Sequence, residues 1–153
     1  AGGEIIIPKV SRRHSQSVLG GGIEITLYQN RQQDLVSVVV PSYNYGNFLS
    51  EALEGLKKQT YKKIELIILD DCSTDRTSNI VTKWQQINGS RFENFVYLRL
   101  PRRLPPEWVL NIGFIISQGE YIVIHDADDI SHQDKIKKQY QWLLIHPETS
   151  AVG

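Results

Sequence analysis

Three carboxylates crowd into four positions at Asp126, Asp128 and Asp129, directly after the apolar run Tyr121-Ile122-Val123-Ile124-His125. Like charges this close repel one another, so the cluster is unfavourable unless a cation or hydrogen-bond donors offset it. On an extended backbone side chains alternate faces, which predicts that Asp126 and Asp128 project together while Ala127 and Asp129 point the other way. Two carboxylates at the end of a buried strand form an oxygen-only claw suited to Mg²⁺ or Mn²⁺, which often take one or two protein carboxylates beside substrate phosphates. The plain alternative is a solvated loop leading to a helix capped by Asp129 or Ser131. His132 stands in the same loop, placed to touch metal or phosphate, whereas His125 falls on the opposite side from Asp126 and reads as packed.

Two other polar clusters complete a chemistry. Pro41-Ser42-Tyr43-Asn44 follows one apolar run and Asp70-Asp71-Cys72-Ser73-Thr74-Asp75 follows another. Tyr43 offers a flat face on which a base can stack, with packing of Tyr43 or Tyr45 against the next helix as the equal alternative. The Asp70-Asp71 pair can accept a base N–H or ribose hydroxyls; the rival role of turn and helix capping suits Thr74 and Asp75 better than Asp71. A base pocket, a ribose acceptor and a metal–diphosphate site together describe a nucleoside-diphosphate conjugate.

The elements that must position these clusters alternate strand and helix. Leu35–Val40 is β-branched and nearly continuous, as in a strand buried on both faces, with Pro41 expected to end it. Phe48, Leu49, Ala52, Leu53 and Leu56 recur at helical spacing up to about Gln59, with Asn47 or Ser50 as the cap. Ile64–Leu69 is the next strand, followed by a helix carrying Ile80, Val81, Trp84 and Ile87 and capped by Thr74 or Asp75. Phe95–Leu98 is a third strand, and the prolines of Arg99–Pro106 forbid regular structure after it. A helix from about Glu107 to Ser117 carries Trp108, Ile112, Ile115 and Ile116, with Gly119 at its C′ position. The strand Tyr121–His125 and a helix near Gln133–Ile145, presenting Ile136, Tyr140, Leu143 and Leu144, complete the chain. The pattern predicts a Rossmann-like α/β fold: an open, mainly parallel sheet with helices on both faces, binding its ligand beyond the carboxyl ends of the strands. Residues 1–34, with Ile5-Ile6-Ile7, Arg12-Arg13-His14, Gly20-Gly21-Gly22 and the alternating run Ile23–Tyr28, read as an extension or linker that adds an edge strand.

Composition bounds the alternatives. With 153 residues, 41% of them hydrophobic and 22% charged, the chain suits one soluble domain. Lys+Arg and Asp+Glu balance at 17 each, which leaves no global field to draw nucleic acid or an anionic surface. The single cysteine, Cys72, rules out an internal disulfide framework and reads as a small buried residue. No run has the length of a transmembrane helix, and the expected location is cytoplasmic. An EF-hand fails because, with Asp126 as the first loop position, Ile130, Ser131 and Lys137 occupy the fifth, sixth and twelfth. A dinucleotide dehydrogenase fails for want of Gly-x-Gly-x-x-Gly. A phosphotransfer receiver domain, which also clusters acids around Mg²⁺, would place its acid pair after the first strand, where this chain has Pro41-Ser42-Tyr43.

The runs Val36–Asn44 and Glu65–Asp75, the triplet Asn111-Ile112-Gly113, and Gln118–Ile122 leading to Asp126-Ala127-Asp128-Asp129 resemble, in order and spacing, the motifs of family 2 glycosyltransferases of the GT-A fold. The resemblance covers about residues 35–153 and marks these as a nucleotide-sugar-binding domain, with 1–34 outside it. It implies metal-dependent transfer of a sugar from a nucleoside-diphosphate donor, usually a UDP-sugar, to an acceptor hydroxyl of a saccharide or glycoconjugate, with inversion. It further implies that Pro41, Tyr43 and Asn44 wall the nucleotide, that Asp71 accepts the imide N–H of the base, and that Asp126-Ala127-Asp128 is the DXD motif. In that motif Asp128 ligates Mn²⁺ or Mg²⁺, and Asp126 reaches ribose or metal. Two departures stand out. Val109-Leu110-Asn111 replaces the family's Ala-Arg-Asn, so Arg99, Arg102 or Arg103 is left as a stand-in near the diphosphate, against a solvated loop as the plainer reading. The chain also stops at Ala151-Val152-Gly153, where the family's acceptor half begins, so no catalytic base can be assigned and the chain is expected to be inactive alone. A catalytically silent nucleotide-sugar-binding module is the alternative.

Overall fold

The computed structural model describes residues 31–149 and 151–152, together with the strand backbones at 5–6, 17–19 and 23–25. In chain order the elements are β1 (Ile5–Ile6), β2 (Ser17–Leu19), β3 (Ile23–Ile25), β4 (Gln32–Ser42), α1 (Leu49–Lys57), β5 (Ile64–Asp70) and α2 (Thr77–Asn88). A 3-10 turn at Gly89–Arg91 precedes β6 (Asn94–Arg99), α3 (Pro106–Ile116), β7 (Gly119–Ile124), α4 (Lys135–Ile145) and β8 (Ala151–Val152). Strands β6, β5, β4 and β7 lie side by side and all parallel; β1 runs antiparallel between β7 and β8. The amino-terminal segment thus supplies an interior strand to the main sheet, and β2 and β3 pair with each other in a separate two-stranded sheet. The basic patch at Arg12-Arg13-His14 and the end of the expected strand at Thr26–Tyr28 lie outside the described residues.

The central strands are buried because both sheet faces are covered. Val36, Val38 and Val40 of β4 pack with Leu49, Leu53, Val81, Trp84, Ile136 and Leu143, which places α1, α2 and α4 on one face. Val39, Ile67, Leu69 and Ile122 pack with Val109 of α3 on the other. No helix among the described residues is long and apolar enough to cross a membrane.

Several local expectations are corrected. Strand β4 runs through Pro41 to Ser42, which pair with Leu69 and Asp70. Pro41 is tolerated there because the missing N–H belongs on the β7 side, and β7 pairing has already ended at Val39↔Ile124. Helix α3 buries Val109 and Gly113, while Trp108 and Ile115 are more than half exposed. This helix is apolar almost all round, so periodicity alone could not choose its inner face. Gly113 chooses it: a Cβ there would lie 2.5 Å from Cγ1 of Val39. Gly119 is no helix cap but the first residue of β7, and a Cβ on it would meet the Leu35 carbonyl oxygen and the Ser37 nitrogen at 2.7 Å. The residues at the helix N-caps are Phe48, Arg76, Pro105 and Asp134, none bonding through its side chain in that role. For α2 the work falls to Asp75, one position earlier, whose Oδ1 accepts the Thr77 N–H at 2.9 Å. Neither Asp129 nor Ser131 caps α4.

The sheet order fixes where a ligand can bind. From β4 the chain moves outward through β5 to β6, then returns to lay β7 on the other side of β4. The strand order therefore reverses between β4 and β7, and a crevice opens there beyond their carboxyl ends. Tyr43 and Asp126 follow those two ends.

Candidate functional site

One end of the rim is built by β4, β5 and the proline-rich loop. The Asp71 backbone N–H donates to the Ser42 carbonyl at 2.9 Å, extending the β4–β5 ladder one step. Its carboxylate is nearly buried, with Oδ1 accepting the Leu104 N–H at 2.8 Å and Oδ2 accepting Arg103 Nε at 3.0 Å. The Arg103 guanidinium lies over the Tyr43 ring, 3.5 Å from its centroid. Tyr43 is therefore not packed on α1; Tyr45 is, making an edge contact with Phe48 and joining the core. Asn44, in a left-handed backbone conformation (φ 56°), turns its Oδ1 onto the N–H groups of Thr74 and Asp75 at 2.8 and 3.3 Å. It thereby ties the first rim loop to the second. Asp70 is wholly buried and accepts the Tyr97 hydroxyl at 2.7 Å and the Ser73 N–H at 2.8 Å, so its role is to hold the 71–75 loop.

The other end is built by β7. His125 still belongs to the ladder, its N–H donating to Val39 O at 3.0 Å, and its imidazole is buried with Nδ1 on the Asp126 carbonyl. Burial pulls the His125 pKa below its ordinary value, reinforced by the charge of Lys135. The extended backbone stops at Ile124, so the alternation expected at 126–129 does not come from a strand. A turn closed by Asp129 N–H on Asp126 O at 3.2 Å gives the same outcome, because Ala127 is tucked into the core while Asp126 and Asp128 face solvent. Neither carboxylate accepts a hydrogen bond or joins an ion pair among the described residues. Lys135, at the start of α4, is near enough to feel Asp129 and Asp126; burial lowers its pKa and those charges oppose the shift. Among the described residues no three His, Cys, Asp or Glu side chains converge on one point, so a cation here would need oxygens from its ligand. Two bare, exposed carboxylates with only oxygen donors fit Mg²⁺ or Mn²⁺ on those terms.

Of the expected stand-ins for a basic contact, Arg103 is at the Tyr43–Asp71 end and Arg99 is bound to the Ser73 carbonyl at 2.9 Å beside Asp70. His132 is turned into its own loop, its Nδ1 accepting the Asp134 N–H at 3.2 Å. Reasoning from sequence missed the contact of Arg103 with Tyr43 and Asp71; a cation in the middle of the Pro-containing loop carries no spacing signal. It also missed that Ser42 Oγ and His125 Nε2, at the strand ends flanking the crevice, are buried without a partner among the described residues.

Comparison with known proteins bears on the family and the fold. GlyG, a glycosyltransferase of Streptococcus pneumoniae, is 39% identical over 109 residues, 71% of this chain and 35% of GlyG. Among solved structures, Staphylococcus aureus TarS bound to UDP superposes with a TM-score of 0.66 at 29% identity, over 74% of this chain and 33% of TarS. The mannosyltransferase PcManGT of Pyrobaculum calidifontis, in complex with GDP-Man and Mn²⁺, gives 0.67 at 28% identity, over 76% of this chain and 33% of its own. The chain thus spans about a third of the length of these relatives, and the fold is of the GT-A type. The model of glycosyl transferase family 2 matches residues 37–153, and the chain belongs to that family.

Proposed function

We propose that this chain binds a nucleoside-diphosphate sugar, a UDP-sugar first among them, across the β4–β7 crevice and forms the donor-binding part of an inverting glycosyltransferase. In this reading residues 35–153 are the nucleotide-sugar-binding unit, residues 1–34 are an extension that lends β1 and the start of β4 to its sheet, and the protein works in the cytoplasm. The observation that supports it is the polarity of the rim. A flat aromatic face and a nearly buried carboxylate stand at one end, and two bare carboxylates stand at the other, on opposite sides of the strand reversal.

Each residue then has a task. Tyr43 stacks the base and Pro41 and Asn44 wall it. Asp71 accepts the base N–H, exchanging it for the Arg103 Nε–H it now holds. Asp126 and Asp128 hold Mn²⁺ or Mg²⁺ against the diphosphate, with Asp126 also able to reach the ribose. When bound, that cation stabilises the negative charge that develops on the leaving nucleoside diphosphate. The sugar passes to an acceptor hydroxyl of a saccharide or glycoconjugate, and no residue described above is assigned as the base that deprotonates it.

A panel of nucleoside diphosphates titrated in the presence of Mn²⁺ tests the reading. Uracil and guanine carry a ring N–H beside a carbonyl, whereas adenine and cytosine do not, so UDP and GDP should bind ahead of ADP and CDP. Equal affinity for all four would mean that Asp71 does not read the base. Because no base residue is assigned, a silent nucleotide-sugar-binding module is the second reading. Turnover of a UDP-sugar by this chain alone would remove it.

A further inference from the structure

The two carboxylates of the acid cluster are held by different means. Asp126 follows directly on β7, whose last ladder bond is His125 N–H to Val39 O. Asp128 sits in the turn beyond it, closed on the Asp126 side by the Asp129 N–H to Asp126 O bond at 3.2 Å, and from Ile130 the chain crosses the rim to α4 outside any ladder. This crossing rests on α1 at Gly55, where an added Cβ would be 3.6 Å from Ser131 N. The contact is loose: an open cleft of about 400 Å³ lies between α1 and residues 130–133, and Ile130 is 64% exposed.

What ties the crossing down is the loop at the end of α1. Gln59, 1% exposed, donates Nε2–H to His132 O at 2.8 Å and accepts the Ile136 N–H on Oε1 at 3.2 Å. Thr60 donates its backbone N–H to Gln133 O at 2.8 Å and its hydroxyl to Asp134 Oδ1 at 2.6 Å. That hydroxyl is the main cause holding the Asp134 carboxyl below its ordinary pKa. The clamp is itself fixed from behind, since the Arg91 guanidinium donates to the carbonyls of Gln59 at 2.9 Å and Tyr61 at 2.7 Å.

We propose that Gln59 and Thr60 are positioning residues for Asp128: by pinning residues 132–136 they set where its carboxylate stands relative to the strand-fixed Asp126. The inference rests on reading this pair as a metal claw. With no third protein ligand, the separation of the two carboxylates governs how well one cation can be held by both. The Tyr43–Asp71 end is built by other loops and does not depend on the clamp.

The test titrates UDP by calorimetry with and without Mn²⁺, and uridine as a probe of the base end, on the native chain and three variants. Thr60→Val removes the hydroxyl donor at nearly constant shape, Thr60→Ser restores it, and Gln59→Leu removes both side-chain bonds. Groups bonded directly to metal ligands are typically worth about 10- to 100-fold in affinity, and Thr60 acts one step further out, so the gain in UDP affinity on adding Mn²⁺ should fall by up to about 10-fold in Thr60→Val. It should fall further in Gln59→Leu and return in Thr60→Ser, with uridine binding unchanged throughout. An undiminished gain in Thr60→Val overturns the inference, as does a parallel loss of uridine binding. A native chain that gains nothing from Mn²⁺ overturns the metal claw itself, and this inference falls with it. If Gln59→Leu does not fold, the Thr60 pair decides.

Discussion

Asp70–Asp71 and Asp126–Asp128 are both acid pairs at the carboxyl end of a parallel strand, and the fold treats them in opposite ways. Asp70 has no exposed surface and is met by Tyr97, Ser73 and the Arg99 guanidinium; Asp71 is met by Arg103 and the Leu104 amide. Asp126 and Asp128 face solvent, and the described residues offer neither a donor nor an ion-pair partner. A buried carboxylate must be satisfied by the protein or the chain does not fold around it. An exposed one can be left bare, and two left bare side by side are the feature that asks for a cation.

The largest test of this contrast is on Asp70. Asp70→Ala leaves the Tyr97 hydroxyl and the Ser73 N–H without their buried acceptor, each such loss costing about 1–3 kcal/mol, and should show as a clear drop of stability in urea unfolding. A loss no larger than that of an ordinary surface substitution would show that the pair is not part of the frame. Next comes Asp71→Ala. Hydrogen bonds to charged groups are worth about 1.5–3 kcal/mol, so uridine affinity should drop by roughly 10- to 100-fold. Pyrophosphate binding with Mn²⁺ should not change; equal losses for the two ligands would remove Asp71 from base reading.

A smaller effect concerns pH. Burial holds the His125 imidazole below its ordinary pKa of 6.5, so the folded state takes up its proton later than the unfolded state does. The stability carried by the neutral ring is complete above that ordinary value and is lost as pH falls towards the depressed one. Urea unfolding at pH 7.5 and pH 5.5 should therefore show the native chain losing stability, and His125→Phe should flatten that slope whatever its absolute stability. Smallest of all, Asp128→Asn without metal should raise the thermal midpoint slightly by relieving repulsion, whereas Asp70→Asn should lower it. The same sign for both would erase the contrast.

Much of this was legible in the sequence because it rests on short-range rules. β-branched runs such as Val36–Val40 mark buried strands, and polar clusters directly after them mark the rim. The expected alternation of Asp126, Ala127 and Asp128 is seen, but for a different reason: a turn buries Ala127, and the strand has already ended at Ile124. What the sequence hid depends on long-range packing. Which face of α3 turns inward is decided by Gly113 against Val39, 74 positions apart in a helix that is apolar on nearly every side. Arg103 folding back on Tyr43 and Asp71, and Gln59 reaching His132 and Ile136, join segments whose spacing has no fixed value. Charge and polarity alone suggested a solvated loop for Arg103, and Gln59 read only as the end of a helix.

The central claim is that the bare pair, with a bound diphosphate, holds a divalent cation, and it is tested most directly by calorimetric titration of UDP with and without Mn²⁺ on the native chain and on Asp128→Ala. The account predicts tight binding that requires Mn²⁺ in the native chain and a loss of that requirement, together with most of the affinity, in the variant. Binding that ignores Mn²⁺, or that is the same with and without the Asp128 carboxylate, would contradict it.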